Sequence, residues 1–282
     1  MRDVRWTGTA LYVKDDDGTA FLVTARHVLR VDEMARLHSF RYRPQGPGES
    51  EPSNSWMDEG LSRLEAEQEE RWIAPAIFRV PRFTGVARDE QLPYSVGHML
   101  GWLNTGPSAG HAYTYSASEL DLAVISLSRA RRNRSAEEFL DAMIAEGYEP
   151  IPTSLIADGP SGVGADIFTM GFPGTATVGY RSLHPASQVW QSSQMSLPVA
   201  SWGRVAMDHE ALPHFWADMT IYPGNSGGPV VEDGRLVGVV SSQAVVDGVR
   251  VPFARVVKTA EVLRLLDVQR EKDRRAGEWG AR

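Results

Sequence analysis

A glycine-rich turn at residues 223–229 constrains this chain most. It reads Pro223-Gly224-Asn225-Ser226-Gly227-Gly228-Pro229. Strand-forming sequence precedes it from Ala217 to Ile221 and follows it from Gly228 to Ser242. Glycines on both sides of the serine permit backbone angles that other residues adopt only at a cost. A turn of this kind exposes the serine hydroxyl. It also leaves backbone N–H groups free to face a developing oxyanion. The local requirement is therefore strand, tight turn, strand, with a nucleophile at the tip.

A serine is a weak nucleophile without a base, and the base needs an orienting carboxylate. His27, in Thr24-Ala25-Arg26-His27-Val28, stands at the end of an early strand. Asp121, in Leu120-Asp121-Leu122-Ala123-Val124, heads an apolar strand, where a buried acid needs a partner such as an imidazole N–H. Gly224-Asn225-Ser226-Gly227-Gly228 also fits the Gly-x-Ser-x-Gly pattern of α/β-hydrolases. That serine, however, lies between a strand and a helix, whereas Pro229-Val230-Val231 continues as strand.

The remainder of the chain has the same short-strand character. Thr9–Val13 and Ala20–Thr24 read as a hairpin around Asp15, Asp16, Asp17 and Gly18. Further strands are expected at 71–83, 120–127, 166–171, 189–197, 201–207 and 250–257. Residues 89–118 read as a long surface loop. Ser135–Glu146 reads as a helix, with Ser135 as N-cap and Glu138 closing a capping box. Glu261–Leu266 has helical spacing, and the charged stretch from Asp267 to Arg282 is expected to fray. Many short strands with turns between them predict an all-β sandwich or a pair of barrels.

Composition narrows the function. The 282 residues, 42% hydrophobic, can bury a substantial core. With a net charge of −7 the chain lacks the basic footprint of a nucleic-acid binder. It has no cysteine, which rules out disulfides, thiolate–zinc sites and a cysteine nucleophile. His209-Glu210…His214 does not make a zinc helix, because Pro213 interrupts it and the spacing is wrong. No metal or other cofactor is expected. The N-terminus has no apolar core behind its charges and no run is long enough for a membrane helix, so the expected location is the cytoplasm. Residues 49–70 hold eight acids against Arg63 alone, a local balance equal to the net charge of the chain. This segment reads as a solvated insertion or as a docking element for a basic regulatory partner.

Thr24-Ala25-Arg26-His27, Asp121-Leu122-Ala123-Val124 and Gly224-Asn225-Ser226-Gly227-Gly228-Pro229, in this order, resemble the chymotrypsin/trypsin-like serine peptidases. The likeness is to bacterial members such as glutamyl endopeptidases and the Deg type. Gly171-Phe172-Pro173-Gly174 resembles a Gly-Tyr-Pro segment of their second barrel, and Leu236–Ser241 the strand after the nucleophile. The resemblance implies two six-stranded antiparallel β-barrels with His27, Asp121 and Ser226 as a catalytic triad between them. It divides the chain into a first barrel at 1–130, with an insertion at about 44–118, a linking helix at 131–150, a second barrel at 151–257, and a C-terminal helix and tail at 258–282.

It further implies an oxyanion hole from the N–H groups of Gly224 and Ser226. Ser241 would support Asp121, and the backbone of Ser241, Ser242 and Gln243 would pair with a peptide substrate. Thr220 falls at the base of the primary pocket and carries no charge to select Arg or Lys. Gln243, where a glycine often stands, narrows that pocket. Asn225 replaces the aspartate that pairs with a newly cut N-terminus in digestive enzymes, so that route of activation is closed. The separation of His27 and Asp121, 94 residues, exceeds the family's usual spacing and accommodates the acidic segment and the 89–118 loop. The expected function is a regulated intracellular bacterial endopeptidase. The alternatives are a catalytically silent peptide-binding module and an esterase on the same triad.

Overall fold

A computed structural model of the chain describes residues 8–29, 75–82, 97–104, 113–127, 134–172, 198–246 and 249–280. The acidic segment 49–70 and the strand expected at 189–197 lie outside them.

The second half contains a closed barrel. Its strands are β8 (Asp166–Gly171), β9 (Val199–Met207), β10 (His214–Met219), β11 (Pro229–Glu232), β12 (Arg235–Val246) and β13 (Val249–Lys258). They close in the order β10-β13-β12-β11-β8-β9, all antiparallel. Alternating residues of each strand fill the interior: Ile167, Val205, Phe215, Ala217, Met219, Val230, Val240, Ala254 and Val256 form one buried cluster. β10 and β11 follow one another in sequence but are separated in the barrel by β13 and β12. The connection between them, residues 220–228, must therefore cross the end of the barrel. The glycine-rich turn at Ser226 lies on this crossing.

The first half contributes β1 (Ala10–Lys14), β2 (Ala20–Ala25), β5 (Tyr113–Tyr115) and β6 (Leu122–Ser126). With the short β7 (Ile151–Pro152) they form a five-stranded sheet in the order β5-β6-β2-β1-β7. β3 (Pro75–Arg82) and β4 (Gly97–Asn104) pair separately. Among the described residues the only closed barrel is that of the second half. All six residues of β2 are buried because both faces of this sheet are covered. Phe21 and Val23 pack with Leu11, Val13, Leu122 and Val124 against Leu236, Val239 and Val257 of the barrel. Ala20 and Leu22 face Phe139, Leu140 and Met143 of helix α2 (Arg134–Ala145). A strand buried on both sides loses its apolar–polar alternation and reads as a continuous hydrophobic run.

Several boundaries differ from the sequence-based expectation. β4 and β5 occupy parts of 89–118, so that stretch is not one continuous loop. Helix α2 starts at Arg134, which places Ser135 in its first turn and not at the cap. The C-terminal region does not fray after Leu266: helix α3 runs unbroken from Thr259 to Gly280. Val262, Leu265 and Leu266 enter the core between the halves. Beyond them, polar contacts replace apolar ones. Thr114 donates to Oε1 of the fully buried Gln269 at 2.7 Å, Lys272 donates to the Tyr113 carbonyl at 3.2 Å, and Arg270 pairs with the buried Asp15 carboxylate at 3.0 Å. A charged sequence can thus remain helical by docking on the first sheet. No helix among the described residues is long and apolar enough to cross a membrane.

Candidate active site

His27 comes directly after β2, in the single helical turn α1 (Arg26–Leu29). Asp121 comes directly before β6, and β2 pairs with β6 so that Ala25 is opposite Leu122. The register therefore places the histidine and the aspartate side by side at one end of the sheet. Asp121 has φ 59°, in the left-handed region that aspartate tolerates better than most residues. The turn beneath it is fixed locally. Leu120 and Asp121 donate to the Ala117 carbonyl, Leu122 N–H donates to Ser116 Oγ at 2.8 Å, and the buried Arg26 donates to the Ser116 carbonyl. Arg26 N–H also donates to the Asp121 carbonyl at 3.0 Å.

The Asp121 carboxylate accepts three groups. The His27 backbone N–H reaches Oδ1 at 2.9 Å. The His27 ring nitrogen Nδ1 lies 2.8 Å from Oδ2 and 3.0 Å from Oδ1. The hydroxyl of Ser241, itself buried, donates to Oδ2 at 2.6 Å. A carboxylate can only accept, so Nδ1 carries a proton, and in the neutral ring Nε2 keeps its lone pair. The Asp121 side chain is 13% exposed and that of His27 37%, which gives a sheltered carboxylate and an accessible imidazole. Arg255 of β13 frames the same corner. It donates to the Glu119 carbonyl and comes within 3.4 Å of Ser241 Oγ.

Ser226 is held on the crossing connection by a series of backbone bonds. Asn225 N–H donates to the Tyr222 carbonyl at 2.9 Å, Gly227 N–H to Val240 at 2.7 Å, and Gly228 N–H to Asn225 at 2.8 Å. Asn225 is buried and its side-chain oxygen accepts the Tyr222 N–H at 3.2 Å, so it closes the turn from within. Gly227 has φ +85°, and a Cβ there would lie 2.1 Å from the Thr9 carbonyl oxygen. The amides of Gly224 and Ser226 donate to no acceptor among the described residues. The Ser226 hydroxyl donates to the Ser241 carbonyl at 3.1 Å, and among the described residues that is its hydrogen bond.

The model of the trypsin-like peptidase domain matches residues 8–239, most of the chain. The chain belongs to the trypsin-like peptidase family. No curated protein matches it. Among solved structures it is similar to the MamO protease domain from Magnetospirillum magneticum, with 12% identity over 91% of this chain and 85% of that one and a TM-score of 0.43. It is also similar to the HtrA-type protease AlgW with a decapeptide, with 14% identity over 94% of this chain and 52% of that one and a TM-score of 0.42. A third neighbour is the Rv3671c protease in its inactive form, with 16% identity over 67% of this chain and 77% of that one and a TM-score of 0.34.

In this trypsin-like peptidase the residues singled out from sequence fall into two groups. His27, Asp121, Ser241 and Ser226 are linked by successive hydrogen bonds, with Gly224 tied beside Ser226 through Thr9, and among the described residues the Ser226 hydroxyl bonds to Ser241 and not to His27. Thr220 and Ser242 are exposed on the barrel, and the Gln243 side chain is tied to the Val251 carbonyl at 3.1 Å. Arg26, Arg255 and Thr9 also hold the site, and none of them carries a local sequence signal. The nearest hint is Thr9 directly after Gly8 at the head of the first hairpin.

Proposed function

We propose that this peptidase is an endopeptidase that cuts peptide bonds through an acyl-enzyme on Ser226, with His27 as general base and Asp121 as its orienting carboxylate. The observation that carries this reading is the chain of hydrogen bonds from Ser241 through Asp121 to His27 Nδ1, which leaves Nε2 as the acceptor. Nε2 takes the Ser226 proton as Oγ attacks the carbonyl carbon. The oxyanion is received by the N–H groups of Gly224 and Ser226. The C–N bond then breaks, the amine leaves with the proton from His27, and water attacks the acyl group by the same route in reverse.

The substrate runs along Ser241, Ser242 and Gln243 as an added strand. The Ser241 carbonyl, which holds the Ser226 hydroxyl in the free protein, is then claimed by a substrate N–H. The hydroxyl is released toward His27 as the substrate docks. Thr220 and the tethered Gln243 suit a small or medium uncharged side chain in the primary pocket. The regulated intracellular role belongs to the same reading, with the acidic segment 49–70 as the docking element for a basic partner. Broad, constitutive digestion of unfolded proteins would count against that regulation.

The position of the Ser226 hydroxyl on Ser241 also favours a second reading, a module that holds peptides without cutting them. A fluorophosphonate probe separates the two. Labelling confined to Ser226, abolished in Ser226→Ala, is expected for the peptidase. A folded protein that binds peptides but takes no label would support the second reading and overturn the first.

A further inference from the structure

Thr9 lies just before β1, in the first half of the chain, yet its contacts are with the nucleophile turn of the second. It is buried, and each of its polar groups is used. Its N–H donates to the Ser226 carbonyl at 2.7 Å and its hydroxyl donates to the Gly224 carbonyl at 2.8 Å. The same hydroxyl accepts the Phe172 N–H at 3.2 Å, and the Thr9 carbonyl accepts the Thr24 hydroxyl at 2.6 Å. The preceding Gly8 packs between Val28, next to His27, and the Ser226 carbonyl. A Cβ on it would lie 2.4 Å from Val28 Cγ2 and 3.0 Å from the Ser226 oxygen.

A peptide unit is rigid, so fixing the carbonyl of one residue fixes the plane of the next amide. The unit joining Ser226 to Gly227 is held at both ends, its carbonyl by Thr9 N–H and its amide by Val240. The unit joining Gly224 to Asn225 is also held at both ends, its carbonyl by the Thr9 hydroxyl and its amide by Tyr222. The unit that bears the Gly224 N–H is different. Its carbonyl, on Pro223, makes no hydrogen bond among the described residues. Gly224, at φ +107°, is free of the side-chain clash that would hold another residue in place. Its N–H turns about the Gly224 Cα, whose place is set on one side by Pro223, with its ring-locked φ and Tyr222 tied to Asn225, and on the other by the fixed plane, of which the Thr9 hydroxyl supplies one of the two anchors.

We propose that Thr9 is a positioning residue for the oxyanion site. Its hydroxyl keeps the Gly224 N–H aimed at the oxyanion. This rests on the peptidase reading above. The role belongs to the hydroxyl and not to the bulk of the side chain, since the backbone N–H of any residue but proline at position 9 would still hold the Ser226 carbonyl.

The test uses the full chain with Thr9→Val, which keeps the shape and removes the hydroxyl, and Thr9→Ser, which restores it. Diisopropyl fluorophosphate reports on the site without a known substrate: Ser226 Oγ bonds to phosphorus, fluoride leaves, the serine proton passes to His27, and the phosphoryl oxygen occupies the oxyanion site. Thr9→Val is expected to label at least about tenfold more slowly at an unchanged fold. The ³¹P resonance of its adduct should shift from that of wild type. Thr9→Ser should return within about threefold of wild type in rate, with the wild-type ³¹P position. Wild-type labelling by folded Thr9→Val, or equal slowing in both variants, would overturn the proposal while leaving the peptidase reading intact. Failure of the folded wild type to react would overturn the peptidase reading and this proposal together. If Thr9→Val does not fold, Thr9→Ala takes its place, and wild-type labelling by that variant is equally fatal.

Discussion

Asp121→Asn tests how the His27 ring is oriented, and the structure shows why this variant should fold. Asparagine tolerates the left-handed backbone angle of residue 121 about as well as aspartate does. It also keeps one oxygen. The His27 backbone N–H cannot rotate away from the Oδ1 position, so the amide oxygen must stay there. The amide nitrogen then occupies the Oδ2 position, facing His27 Nδ1 and the Ser241 hydroxyl. Ser241 can turn to accept, and His27 must also accept, which requires a lone pair on Nδ1. The ring proton is thereby forced onto Nε2, where it blocks removal of the Ser226 proton. Only the Ser241 proton loses its acceptor, so the melting temperature should change by only a few degrees. The rate should nevertheless fall by roughly 10⁴-fold, the known size of a tautomer error in a triad of this type. That is about 5.5 kcal/mol of barrier. The assay is turnover of a fluorogenic peptide chosen by library profiling of the wild type, with calorimetry as the control for folding. A folded Asp121→Asn protein within about tenfold of wild type would refute the reasoning, because it would mean that Asp121 does not set the tautomer.

Two further outcomes follow from the same geometry. Gly227→Ala places a Cβ against the Thr9 carbonyl and the Thr24 hydroxyl at a left-handed backbone position, so a loss of about 4 kcal/mol is expected. This should lower the melting temperature by roughly 10 °C, and a change of under about 2 °C would show that the turn can relax. His214 is held below its ordinary value of 6.5, first by burial and then by the positive charges of Arg255 and Lys258. The unfolded chain therefore takes up this proton first, and the stability that the neutral ring contributes above about pH 6.5 is lost as pH falls. Between pH 7.5 and 5.5 wild type should lose more melting temperature than His214→Gln, and parallel declines would show that His214 does not contribute.

The parts of the site that were legible in sequence are those with strong local chemical demands. Ser226 needs glycines on both sides, and they are written into the turn. His27 and Asp121 stand next to apolar strand sequence, which made their position at strand ends readable. Extending Thr259–Gly280 as one helix was not legible, because what docks the stretch after Leu266 on the body is a set of polar contacts with another element. Gln269 finds Thr114 and Arg270 finds Asp15, both far away in sequence. The strands within 89–118 were hidden for a related reason: glycines and polar residues there read as loop, whereas β5 is defined by its pairing with β6.

The sequence by itself determined the strand–turn–strand setting of Ser226, the order of His27, Asp121 and Ser226 along the chain and the β-rich class, because each is written in local sequence through short-range backbone sterics and side-chain chemistry. Only the tertiary structure decided which carbonyl holds the Ser226 hydroxyl, that Arg255 braces Ser241, and that Thr9 fastens the turn from the other half of the chain. These are hydrogen bonds between residues up to 215 positions apart. Their partners are chosen by how the sheet and barrel pack, and no local pattern encodes that choice.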